Sequence, residues 1–193
     1  MNITSKINKR FRDTKMDDQS MAKKNDPGFT LLELLIVVII VSILAAIGIP
    51  SWISLVNRTK INNARSEVFQ SIREAQSKAK QKKVNFEASF QNATNSNGQA
   101  VIQWAVNSTK SDPIWQSITV EGVEIDEGNT NLNDTSGWWS IEFDEQGEVA
   151  ESSNTGKITV VNSNNTAVKR CVFVQSLLGA MRSADNADCE REN

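Results

Sequence analysis

From Leu34 to Ile49 only Ser42 and Gly48 interrupt the apolar side chains, and Glu33 is the only charge between Phe29 and Asn57. No other feature of the chain limits its fold as sharply. A helix of about 20 such residues crosses a bilayer core of ~30 Å. Inside hydrocarbon the backbone has no water to bond, so it must bond to itself, and a single apolar run can do so only as a helix. The residues before the run carry Lys6, Lys9, Arg10, Arg12, Lys15, Lys23 and Lys24 against Asp13, Asp17, Asp18 and Asp26. That basic leader keeps the N-terminus in the cytoplasm and sends everything after the run outward.

An ordinary signal anchor or a secretory signal peptide would share these features, and Ala45-Ala46 offers small residues for cleavage. Glu33 argues otherwise. A carboxylate in an apolar segment costs about 2.5–3.5 kcal/mol on insertion scales, and such residues usually have a function.

The stretch Gly28-Phe29-Thr30-Leu31-Leu32-Glu33 resembles the processing motif of type IV prepilins and pseudopilins. The resemblance implies cleavage by prepilin peptidase between Gly28 and Phe29, and N-methylation of the new N-terminal Phe29. It implies that Glu33 is the assembly glutamate of the family and that Pro50 is its helix-kinking proline. Each residue has a physical reason to be there. Gly28 lets the junction enter a protease site in an extended form, and Asp26-Pro27 discourages helix from running back into the leader. Glu33 becomes tolerable beside a positive partner, for which the amine of Phe29 on a neighbouring subunit is the candidate. Losing one member of a buried charge pair costs roughly 3–5 kcal/mol, which suits a register device better than a catalytic acid. Pro50 removes one helical hydrogen bond, so a kink is expected, with a plain helix stop as the alternative. A leader of 28 residues is long for the family, and Met16 and Met21 offer alternative starts.

Beyond Pro50, Ile61, Ala64, Val68, Ile72, Ala75 and Ala79 recur at helical spacing, which predicts an amphipathic continuation whose stripe presses on a sheet. Glu74 and Lys78 form a favourable i,i+4 pair. Lys78, Lys80, Lys82 and Lys83 read as a solvated helix terminus complementing the macrodipole. From Lys83 the period becomes two: Val84, Phe86, Ala88 and Phe90; Ala100, Ile102, Trp104 and Val106; then Ile118 and Val120. Trp138 to Phe143 reads as a strand, followed by a turn ending at Gly147 and a returning strand. Lys157–Val161 and Ala167–Val174 flank a turn at 162–166 and read as a hairpin. The fold class is α+β: a long N-terminal helix, its first half transmembrane, packed on an antiparallel β-sheet. Its expected parts are a leader (1–28), a transmembrane and assembly helix (29–50), an amphipathic continuation (51–82) and a β-rich extracytoplasmic domain (83–193). The five Trp at these positions are expected in the core.

Cys171 and Cys189 are the only cysteines, in a region directed to an oxidising compartment. A bridge between them would close a loop worth ~3 kcal/mol in the chain-entropy model; two free buried thiols are the alternative. The chain has no His, which removes Ser-His triads and the usual zinc ligands, so neither a metal site, a cofactor nor an enzymatic activity is expected. Acidic pairs such as Asp126-Glu127 and Asp144-Glu145 read as solvated turns. Outside the leader the net charge is −5, which disfavours phosphate-driven nucleic-acid binding.

The later motifs narrow the resemblance. Ala64-Arg65-Ser66-Glu67 through Glu74-Ala75, then Val84, is similar to the helix-to-strand passage of GspH/FimT-type pseudopilins and minor pilins. Ile141 to Gly147, and Cys171-Val-Phe-Val through Leu178-Gly-Ala-Met-Arg182, resemble the same group. The resemblance implies a minor pilin or pseudopilin that initiates or caps a type IV pilus or type II secretion pseudopilus. Its partners would be prepilin peptidase, other pilin subunits, the inner-membrane assembly platform and, before assembly, membrane lipid. The location would be the inner membrane, with the C-terminal domain periplasmic, and then the filament. A tip-located adhesin or DNA receptor is the alternative. Some members of the group bind DNA through a Gly-Arg-x-Arg tail element, but here Gly179-Ala180-Met181-Arg182 lacks the first Arg, which argues against DNA.

Overall fold

The computed structural model describes residues 28–109, 112–135 and 137–191; the basic leader and its candidate start sites lie outside them. The elements are α1 (Leu31–Lys82), β1 (Phe86–Thr94), β2 (Ala100–Ser108), β3 (Gln116–Ser117), β4 (Val123–Ile125), a 3-10 turn (Glu127–Asn129), β5 (Asn133–Thr135), β6 (Trp138–Phe143), β7 (Gly156–Asn162), β8 (Asn165–Val174), β9 (Met181–Asp185) and α2 (Ala187–Glu190). The chain divides into two compact units, Met1–Ala45 and Ala46–Asn193.

The first unit contributes the start of α1. Its large apolar side chains from Leu31 to Leu44 are between 48% and 84% exposed. The helix is long and apolar enough to cross a membrane. Ser42, the one polar side chain in the run, donates its hydroxyl to the Val38 carbonyl at 2.7 Å, so the helix itself satisfies it.

In the second unit the amphipathic stripe is the organising feature. Ile61, Ala64, Val68, Ile72, Ala75 and Ala79, all at 0–1% exposure, are buried as their spacing predicts. They share one hydrophobic cluster with Ala88, Phe90, Ile102, Ile141 and Phe143, and with Val123, Ile125, Ile158, Val160, Val172 and Val174. Three alanines in the stripe let the helix backbone approach strands closely while bulkier strand residues fill the space. The strands form two antiparallel sheets rather than one, ordered β3-β2-β1-β6-β5 and β4-β7-β8-β9. Phe90 pairs with Trp104 on one side and Trp139 on the other.

Polar ties complete the docking of α1. Gln76 Nε2 donates to the carbonyls of Gly147 at 2.9 Å and Gly179 at 3.2 Å, holding two turns with one amide. Glu67 accepts the N–H of Thr119 at 3.0 Å. Arg65 and Arg170 both reach Asp185, at 2.8 and 3.3 Å. Glu74 and Lys78 meet at 2.6 Å.

Several sequence expectations are corrected. Val84 is not in a strand and is 49% exposed. The helix ends at Lys82; Lys83 follows in the left-handed region, φ 56°, with its N–H bonded to the Ala79 carbonyl, and the chain turns before β1 begins. The strand expected after Gly147 is reduced to an isolated bridge, Phe143 with Val149, because Leu177 takes the Val149 N–H at 2.6 Å. β9 was not anticipated. None of the five tryptophans is fully buried: Trp104 and Trp139 border the core, Trp52 is 67% exposed on α1, and Trp115 packs edge-on against Trp138 at 5.8 Å.

Candidate functional site

The N-terminal candidates lie together at the head of α1. Gly28 and Phe29 are in irregular, exposed backbone, and Phe29 is 82% exposed. A Cβ on Gly28 would meet nothing within 4 Å, so crowding inside this chain does not demand glycine there. Thr30 begins the helix. Its carbonyl accepts the Leu34 N–H at 3.1 Å and its Oγ1 accepts the Glu33 N–H, also at 3.1 Å. This is half of a capping box: Thr-x-x-Glu places a hydroxyl where an unpaired first-turn N–H needs an acceptor. The pattern Thr30-Leu-Leu-Glu33 carried that signal, and the sequence reading passed over it.

Glu33 therefore sits in the first turn, where the positive end of the helix dipole favours an anion. Its carboxylate is exposed and makes no ion pair among the described residues. Among the described residues it has an orienting backbone and no cationic partner.

Pro50 lies inside α1, which continues to Lys82, so the plain stop is excluded. The missing N–H leaves the Ala46 carbonyl without its usual donor. Nearby Thr59 Oγ1 donates to the Leu55 carbonyl at 3.0 Å, satisfied within its own turn.

Cys171 and Cys189 are joined, with Cα atoms 5.7 Å apart and 18 residues of separation. Both are fully buried and form a second, smaller cluster with Phe173 and Ala184. Cys171 and Phe173 lie on β8, Ala184 on β9 and Cys189 on α2, so the bridge clamps the C-terminal turn over the outer face of the second sheet. Lys157 Nζ donates to the Arg191 carbonyl at 2.6 Å on the same face. Lys169 meets Glu190 at 3.0 Å and Asp126 at 3.5 Å. The Glu190 hydrogen bond, with the charge of Asp126, holds the Lys169 amine above its usual range near 10.5, against a partial loss of hydration. Arg182, the surviving basic residue of the tail motif, lies 4.0 Å from the centre of the Phe173 ring.

Residues 23–49 match the family model described as the prokaryotic N-terminal methylation motif. Two fimbrial proteins of Pseudomonas aeruginosa are each 53% identical to this chain over 45 residues. That stretch is 23% of this chain, and the chain spans only 29% of the length of each of these relatives. Among solved structures, the minor pilin FimU of Pseudomonas aeruginosa superposes with a TM-score of 0.43 at 12% identity, over 65% of this chain and 88% of that one. That likeness is loose.

Proposed function

We propose that this chain, whose residues 23–49 match the prokaryotic N-terminal methylation motif, is a minor pilin or pseudopilin made as a precursor and built into a filament. Prepilin peptidase removes 1–28 by cutting between Gly28 and Phe29, and Phe29 is methylated on its new amine. Residues 29–50 hold the subunit in the membrane and later pack into the filament. Residues 51–82 continue the helix, and 83–193 form the outward domain stapled by Cys171–Cys189. Pro50 bends the helix by releasing one backbone bond.

One observation carries this reading: an accessible Gly28-Phe29 junction is followed by a helix whose apolar first part is exposed and whose only charge before Arg58, Glu33, has no ion pair among the described residues. A carboxylate at that depth gains most from a cation on a neighbouring subunit, and the amine of a cleaved Phe29 is of the right charge. Such a pair sets the register between subunits. The filament is a type IV pilus or a type II secretion pseudopilus, and the other partners are the inner-membrane platform and fellow pilins.

Glu33→Ala and Glu33→Gln test it. Both are expected to be cleaved and to remain in the membrane, with at least a tenfold drop in the amount recovered with sheared filaments. Normal recovery would show that Glu33 does not set the register.

A further inference from the structure

Where the apolar part of α1 ends, the second unit carries an apolar surface that none of its other described residues covers. Ile47, Ile49, Trp52, Ile53 and Leu55 are 72%, 59%, 67%, 53% and 56% exposed, and the first buried helix residue is Ile61. Beside this surface lies a shallow groove whose lining includes Pro50, Ile53 and Arg58 of α1, and Asn162, Asn165 and Val168 of the β7–β8 hairpin. The hairpin tip is therefore level with helix residues that belong to the apolar run.

Lengths decide what surrounds that tip. Twenty residues counted from Leu34 end at Ile53, and about 20 helical residues cross the ~30 Å core. The hydrocarbon boundary thus falls near Trp52 and Ile53, and an amphipathic tryptophan suits that level. Headgroups extend the bilayer to roughly 40–45 Å in all, which places the tip among them. We propose that, before assembly, the Asn162–Asn165 tip and Arg58 rest against phospholipid headgroups on the side of the membrane where the C-terminal domain lies. This rests on the membrane-inserted state of the reading above.

The tip suits that layer. It carries no charge from Asn162 to Val168, although the chain beyond the leader is net −5, so an anionic surface does not repel it. Three of its backbone donors are occupied: Ser163 N–H by the Gly122 carbonyl at 3.1 Å, Asn164 N–H by Asn162 Oδ1 at 3.0 Å and Ala167 N–H by Asn165 Oδ1 at 3.0 Å. Those three N–H groups lose no bond when water is displaced. Arg58 is exposed, follows the apolar run directly and makes no ion pair among the described residues. A guanidinium at that level matches phosphate in charge and geometry.

The test uses the full chain in vesicles of phosphatidylethanolamine and phosphatidylglycerol that contain a nickel-chelating lipid. A spin label is attached at Asn164→Cys or, as the distant control, at Gln146→Cys. Residue 146 belongs to the turn whose Glu145 carbonyl is bonded by Lys83 at the far end of α1, and the helix rises ~33 Å from Arg58 to Lys80. Headgroup nickel should relax the label at 164 several-fold more strongly than at 146. Arg58→Gln should reduce that difference in these vesicles and leave it unchanged where phosphatidylcholine replaces both phospholipids and the nickel-chelating lipid is kept. Equal relaxation at 164 and 146 in an inserted chain overturns the inference while leaving the filament reading intact. So does spin–spin broadening at 164 without nickel relaxation, which would mean that another protein chain covers the tip. No effect of Arg58→Gln in either mixture overturns the role of Arg58. A chain that fails to float with the vesicles overturns both the inference and the reading beneath it.

Discussion

Thr30 Oγ1 accepts the backbone N–H of Glu33 at 3.1 Å. The residue that starts the helix thereby fixes the backbone of the residue that carries its only early charge. Glu33 is held in the first turn by a bond within its own chain, so a cation that pairs with it would cost less freedom.

Thr30→Ala should loosen that turn without altering the rest of the helix. An N-cap loss of ~1 kcal/mol corresponds to about fivefold faster exchange of the Glu33 amide. Hydrogen exchange on the full chain in micelles measures this. Unchanged exchange at Glu33 would mean that the cap contributes nothing there.

Gly179 has a φ of +73°, and a Cβ on it would press the Gln76 amide and lie 3.0 Å from the Gly147 carbonyl oxygen. Gly179→Ala should lower stability by roughly 1–2 kcal/mol from the left-handed backbone alone, with crowding of the Gln76 tie added. Added to Gln76→Ala, which already lacks the tie and its crowding, Gly179→Ala should cost less than in the parent, with the backbone cost and the Gly147 contact remaining. Urea unfolding of both variants separates the two contributions.

Removing the disulfide as Cys171→Ala with Cys189→Ala should cost about 3 kcal/mol. Loss should appear first at the C-terminal turn, because α2 is held on the sheet through Cys189, Lys157 and Lys169. Limited proteolysis should then cut near residues 186–191 before the body of the domain. Resistance equal to the parent would show that the noncovalent contacts suffice.

Lys169 gives a pH dependence whose sign is fixed. Its amine is held above the usual value near 10.5 by Glu190 first and Asp126 second. A raised cationic group contributes stability that is fully present below its unfolded value and is lost as pH climbs through the folded one. Because Glu190 is 59% exposed, the gain is at most about 1 kcal/mol. Stability of the parent should therefore fall more steeply above pH 10.5 than that of Lys169→Met, while the two curves run parallel between pH 6 and 9.

The stripe from Ile61 to Ala79 was readable because one helix face meets a core throughout, so its period appears directly in the residues. Lys157–Val161 and Ala167–Val174 were readable because both are rich in β-branched and apolar residues and flank an Asn-rich turn. β9 escaped because Met181-Arg-Ser-Ala-Asp185 is an edge strand with only Ala184 buried, so its alternation is almost silent. The division into two sheets also left no local trace, since it depends on which distant strands pair. At the head of α1 the sequence named Gly28, Phe29 and Glu33, while the role of Thr30 emerged from a bond that the same four residues encode.

The central claim is that Gly28-Phe29 is a processed junction. Intact mass and N-terminal sequencing of the chain from its native membranes test it most directly. The account predicts a mature chain that begins at Phe29 with one added methyl group on its amine. A retained leader, or a terminus near Ala46, would contradict it.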